Sequence, residues 1–386
     1  AFSFNNFLNI LFQPLYEYYR PTGMIIWWIG YLLGGTNPVV YHGIASVLFS
    51  IICVNLYLIG RYQTSETSGL LAAICFMTFS PTVVVSWWIS NIGVGFGGMV
   101  FFTGAILAFL YQDRASKTLF LLTLFCFLCA FFSKNSFVFL SPMPLCLYII
   151  HPALRTRPRL ILSILTILFS GTSIFISRIM TGGVGINKHV HLNILELPPS
   201  MIIQNLSDYW SLLVFGHSPF IVVICFACGL YTLRHRYIQW FSFPLLFICT
   251  ALLLRWPAGM YILALFMIGL TIIVGNWPTR AWGFWIAAGL VQVSFWDVRI
   301  VGWLLNRFIL ESSAGYALFI GYTLQVHRSQ IKLYLQQIKT ARFQISRASL
   351  TMASLVLFLA GSLYTVRSYI YPNFLRDYEM THHISY

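Results

Sequence analysis

Four side chains carry the chemistry that this sequence can be read for. Glu17-Tyr18-Tyr19-Arg20-Pro21 places a carboxylate and a guanidinium three residues apart, just ahead of an apolar stretch. Lys134-Asn135 interrupts two apolar runs, and Arg255-Trp256-Pro257 makes a tight break between two others. Arg20, Lys134 and Arg255 are cations suited to a phosphate or pyrophosphate, through charge-assisted hydrogen bonds. Glu17 is the nearby acid/base candidate. The stretch 180–208 adds Lys188, His189, His191, Glu196 and Asp208. His189 and His191 could ligate a metal from an extended loop, with no evident third ligand. A single charge at the edge of a bilayer needs no function, because its side chain can snorkel to water. Three cations on one face are a stronger signal.

The elements that must position these residues are read from the composition. Hydrophobic residues make up 59% of the chain and charged residues 8%. A soluble domain carries about 25% charged residues, so lipid must be the solvent for much of this chain. Spanning segments must satisfy their own backbone hydrogen bonds, as helices or as a closed barrel. The apolar runs are continuous and too long for barrel strands. The expected fold is therefore all-α, a polytopic transmembrane helical bundle of about twelve spans. These fall near 41–60, 67–85, 92–111, 117–133, 136–150, 158–179, 209–231, 238–254, 257–275, 281–296, 313–327 and 349–370. Residues 22–33 are too short to span. They are expected to lie along the outer surface, with Trp27 and Trp28 at the interface. The chain reads as one transmembrane domain, 1–386. It has an outer loop with an interfacial helix at 1–40, a long outer loop at 180–208 and a basic segment at 328–347.

The formal net charge is +14. In a membrane protein this marks positive-inside loops, not nucleic-acid binding. Lys and Arg gather at 114–117, 155–159, 234–236 and 328–347. With the spans above, all four stretches fall on one side, the cytoplasmic one. Both chain ends, Arg20, Lys134 and Arg255 then face the other side. The expected location is a bacterial inner (plasma) membrane. No Walker A loop or HExxH motif is present. Gly93, Gly95, Gly97 and Gly98 open a span, and close helix packing explains them best. The eight cysteines lie in apolar runs. Cys126/Cys129 and Cys225/Cys228 share a CxxC-like spacing, and they read as packing residues because no polar shell surrounds them.

The outer motifs resemble a known superfamily. Tyr19-Arg20-Pro21, Gly34-Gly35-Thr36-Asn37-Pro38 and Tyr41-His42 follow one another as in GT-C-type membrane glycosyltransferases. The protein O-mannosyltransferase-like and tetratricopeptide-associated branch is the nearest in pattern. Phe79-Ser80-Pro81 through Trp87-Trp88-Ile89-Ser90 resembles its His-Pro and Trp-Ile-Ser segment, and Phe132-Ser133-Lys134-Asn135 its Ser-Lys-Glu segment. Arg255, Pro257 and Tyr261 look like a later Arg-Tyr-x-x-x-Pro region. The resemblance covers residues 15–150 and continues beyond them only as architecture. It implies an outward-facing site, a polyprenyl-phosphate sugar donor and donor phosphate held by cations. It also implies a catalytic Asp in the first outer loop, and carboxylates there that can hold a divalent metal ion. A first span, the thirteenth in all, and its acidic loop would precede Ala1.

This chain departs from the family pattern at chemically important places. Ser80 stands where the pattern has His, Asn135 where it has Glu, and Glu17 is the only acid before Tyr19. Two functions are therefore expected. One is a glycosyltransferase moving sugar from a lipid-linked donor at the non-cytoplasmic face. The other is a non-catalytic GT-C-like subunit of a larger membrane complex, with membrane proteins as partners. A transporter is disfavoured, because the spans carry almost no ionisable residues at mid-depth.

Overall fold

The computed structural model describes residues 8–9, 11–12, 19–79, 92–112, 116–181, 276–294 and 310–326. Regular structure among them is helical. The expected spans at 209–231, 238–254, 257–275 and 349–370 lie outside the described residues, as does the basic segment 328–347.

Local chemistry sets the first helices. Pro21 opens α1 (Pro21–Gly34), where its missing N–H costs nothing. Gly35 ends it at φ 60°, a left-handed value that favours glycine, and its N–H bonds Tyr31 O at 2.7 Å. The Asn37 side chain then accepts the Val39 N–H at 3.0 Å and caps α2 (Pro38–Gln63). The Tyr41 hydroxyl donates back to Gly35 O at 2.7 Å, which pins the turn between the two helices. Ser65 and Ser116 cap α3 (Glu66–Thr78) and α5 (Lys117–Phe131) in the same way. Between them, a π-helical turn at Ile92–Phe96 leads into α4 (Gly97–Tyr111). Here three of the four glycines act as packing residues. Gly93 meets Gly23 of α1, Gly97 meets Ile26, and Gly98 meets Phe137.

Among the described residues, three helices are long and apolar enough to cross a membrane: α2, Ile92–Tyr111, and α7 (Arg157–Met180). Their 26, 20 and 24 residues rise about 39, 30 and 36 Å, against a hydrocarbon core of about 30 Å. The expected span at 136–150 takes another form. It is a 3₁₀ turn, Asn135–Leu140, followed by the eight-residue α6 (Met143–Ile150). Pro142 has no N–H to continue the first piece, and Pro144 suits the first turn of the second. A short 3₁₀ turn, Pro152–Leu154, then leads to α7. The last described pair, α8 (Trp277–Ser294) and α9 (Leu310–Val326), packs as an antiparallel hairpin.

The face pattern of α7 is inverted relative to a soluble helix. Ser163, Thr166, Ser170, Ser173 and Ser177 are buried, while Ile164, Leu168, Phe175 and Ile179 are exposed. The hydroxyls close on carbonyls of their own helix, as Ser163 does on Arg159 O at 2.8 Å and Thr166 on Leu162 O at 2.7 Å. Small side chains bring backbones close and large ones meet the surroundings, the arrangement that lipid favours. Between α2 and α4, the Asn55 amide donates to the Thr103 hydroxyl at 3.0 Å.

Several turns meet at one end of the bundle. Tyr62 packs on Tyr111 with ring centroids 5.2 Å apart, and His151 stacks on Trp277 at 4.1 Å. Asn276 bonds the Tyr322 hydroxyl at 3.3 Å. Buried Arg159 donates to Phe109 O at 3.0 Å and Leu110 O at 2.9 Å, placing its charge at the C-terminal end of α4. That end of the helix dipole favours a cation. Burial, and secondarily the Arg159 charge, lowers the His151 pKa.

Two predictions follow from these contacts. A Cβ on Gly321 would lie 2.6 Å from Ser68 O and 2.8 Å from Ala72 N, whereas one on Gly43 meets nothing within 4 Å. Gly321→Ala should therefore lower stability in detergent by roughly 1–3 kcal/mol, and Gly43→Ala should not; equal melting of the two variants would refute the packing. The folded state resists protonating His151, so its contribution is full above the ordinary histidine value near 6.5 and is lost as pH falls below it. The melting temperature should decline between pH 8 and 5.5, and less steeply in His151→Phe.

Candidate functional site

The opposite end of the bundle brings together two of the residues read as functional, Arg20 and Lys134. At the close of α5 the Ser133 hydroxyl takes Cys129 O at 2.8 Å, and the chain leaves the helix. Lys134 is extended, at φ −155° and ψ 129°, before the 3₁₀ turn that carries Ser136. The start of α1 is anchored on this corner. The Tyr19 ring meets Phe132 edge-on with centroids 6.2 Å apart. Arg20 occupies the N-cap position of α1, where its carbonyl accepts the Met24 N–H at 3.1 Å. Tyr19-Arg20-Pro21 and Phe132-Ser133-Lys134-Asn135, more than a hundred residues apart, thus share one corner.

A carboxylate completes the corner. Lys134 Nζ lies 2.5 Å from Glu311 Oε1, although the two residues are 177 positions apart. The Ser136 hydroxyl donates to the same oxygen at 2.7 Å. Lys134 is 6% exposed and Glu311 0%. Glu311 stands in the first turn of α9, where the helix dipole favours an anion. The Trp285 indole N–H from α8 holds the Glu311 carbonyl at 2.9 Å. Four elements therefore fix one ion pair. Its other carboxylate oxygen, Oε2, is buried with no hydrogen-bond partner among the described residues.

Glu311 is not among the sequence candidates: it falls between the expected spans 281–296 and 313–327, whereas the structure has α9 under way from Leu310. The signal available was an acid followed by Ser-Ser and a helical apolar run, which is a helix N-terminus pattern. Of the other candidates, Glu17, Arg255, His189 and His191 lie outside the described residues. Among the described residues, no three His, Cys, Asp or Glu side chains gather in a way that would hold a metal ion. Cys53, Cys75, Cys126, Cys129 and Cys146 are free thiols, and burial of Cys53 and Cys75 in the core fits a packing role.

The pair also defines what Lys134 can do. Removing a charge from water is costly, and a buried partner compensates it only with close geometry. Lys134 meets that condition through Glu311. Glu311→Ala would strand the buried ammonium and should destabilise the protein by about 3 kcal/mol or more. The uncharged pair Lys134→Met with Glu311→Leu should recover most of that loss. Additive losses in a double-mutant cycle would show that the two side chains do not interact. No protein-family model matches the chain, and neither a curated protein nor a solved structure shows significant similarity to it.

Proposed function

We propose that this protein is a GT-C-like membrane transferase that takes a sugar from a polyprenyl-phosphate-type donor to an acceptor at the non-cytoplasmic face. The observation that carries this is the shared corner: the Tyr-Arg-Pro and Ser-Lys-Asn segments, named by the resemblance, pack together through Tyr19–Phe132. An arginine suits the donor phosphate because its planar fork can make paired charge-assisted bonds. Arg20 serves that role here, with Arg255 as a second cation. Lys134 acts on the donor indirectly, by compensating the charge of Glu311. The orientation rests on the basic stretches 114–117, 155–159, 234–236 and 328–347. It puts the corner and both chain ends outside, in a bacterial plasma membrane.

A specific observation favours a second function. The Lys134 charge is consumed by a fully buried carboxylate, and Ser80 and Asn135 replace chemically active residues of the pattern. A non-catalytic GT-C-like subunit of a membrane complex would show those features. The two separate in one experiment on the purified full chain in nanodiscs, supplied with polyprenyl-phosphate hexose and a hydroxyl acceptor. The transferase moves sugar, and Arg20→Ala lowers the rate at least a hundredfold, the scale for losing one preorganised charge donor, with an unchanged elution profile. Full transfer by Arg20→Ala removes the arginine from the site. No donor binding, together with recovery at fixed stoichiometry with other membrane proteins, establishes the subunit instead.

A further inference from the structure

We infer that Glu311 Oε2 is a hydroxyl-binding position, which reads the sugar portion of the lipid-linked ligand while the arginine corner reads its phosphate. This rests on the transferase reading above and deepens it.

Two independent features support the assignment. The first is the asymmetry of the carboxylate. Lys134 and Ser136 both bond Oε1, at 2.5 and 2.7 Å, and leave Oε2 with no partner among the described residues. A carboxylate offers about four acceptor positions over its two oxygens. A buried oxygen left bare costs free energy that a donor would recover. The second feature is rigidity. The Trp285 N–H holds the Glu311 backbone, and Ser313 Oγ closes on Leu310 O at 2.6 Å in the same first turn of α9. The carboxylate is thus anchored through both its backbone and its other oxygen, so ordering it on ligand binding costs little.

The ligand chemistry follows from the atom. Oε2 accepts hydrogen bonds and donates none, and the local charge is already balanced by Lys134. A second cation would leave the buried site with excess positive charge, and an anion would be repelled. A neutral donor fits best, and within a lipid-linked sugar that donor is a hydroxyl. The neighbouring corner, where Arg20 begins α1, lies on the same end of the bundle and supplies the charge for the phosphate.

The test measures binding of two probes to the full chain in nanodiscs: polyprenyl phosphate, and the same lipid phosphate bearing one hexose. Wild type should bind the hexose-bearing lipid tenfold or more tightly over the bare one, the scale of a hydrogen bond to a charged group. Glu311→Gln should reduce that preference to within about twofold. Because loss of one charge can unfold the site, Lys134→Gln with Glu311→Gln is measured alongside it; this folded, uncharged pair should also lack the preference. Unchanged preference in either folded variant overturns the inference, since the oxygen then serves a buried water only. If wild type binds neither lipid, the transferase reading itself fails. If it binds both equally, the transferase reading survives and the hydroxyl position is wrong.

Discussion

A charge held inside an apolar bundle must find its counter-charge within the protein, and that requirement shapes the site end of this molecule. Lys134 and Glu311 are nearly or wholly shielded from solvent. Each alone would carry a desolvation cost of several kcal/mol. Together with Ser136 they tie α9 to the corner that follows α5, and Trp285 ties α8 to the same point. The pair therefore fixes how the α8–α9 hairpin docks against the earlier helices. It also fixes which carboxylate oxygen is left without a hydrogen-bond partner among the described residues.

The other end of the bundle solves the same problem with one cation and backbone acceptors. Arg159 is buried, yet it faces the last carbonyls of α4, groups that lack intrahelical partners. A helix end can thus stabilise the charge of an arginine through its backbone carbonyls. Around it, Tyr62, Tyr111, His151 and Trp277 join turns far apart in the chain. Among the described residues, helices also meet by close approach, as where Gly60 meets Gly69 and Gly321 meets Ser68 beside that same end, with isolated polar links such as Asn55 to Thr103. Without water to drive apolar surfaces together, such packing and buried hydrogen bonds set the helix order.

Helix existence and type were legible because they depend on local chemistry. Continuous apolar runs, Pro at first-turn positions, Asn37, Ser65 and Ser116 at caps and Gly35 at a stop all act within a few residues. The same locality made the glycines of 93–98 readable as packing residues. The break at Pro142 was also written in the chain, but hydropathy averaged over a span conceals it: the run 136–150 is apolar throughout while its backbone cannot continue as one helix.

Sequence alone determined that this protein is helical and apolar, and which segments carry the chemically capable side chains Arg20 and Lys134. Those properties belong to single residues and to windows short enough for one stretch of chain to express. Only the tertiary structure decided that Lys134 spends its charge on Glu311, and that Tyr19 and Phe132 bring two distant motifs to one corner. Such pairings have no local signature. A lysine looks the same in the sequence whether it waits for a phosphate or already holds a carboxylate 177 residues away, because the low-dielectric surroundings that make the pairing obligatory exist only once the helices have packed.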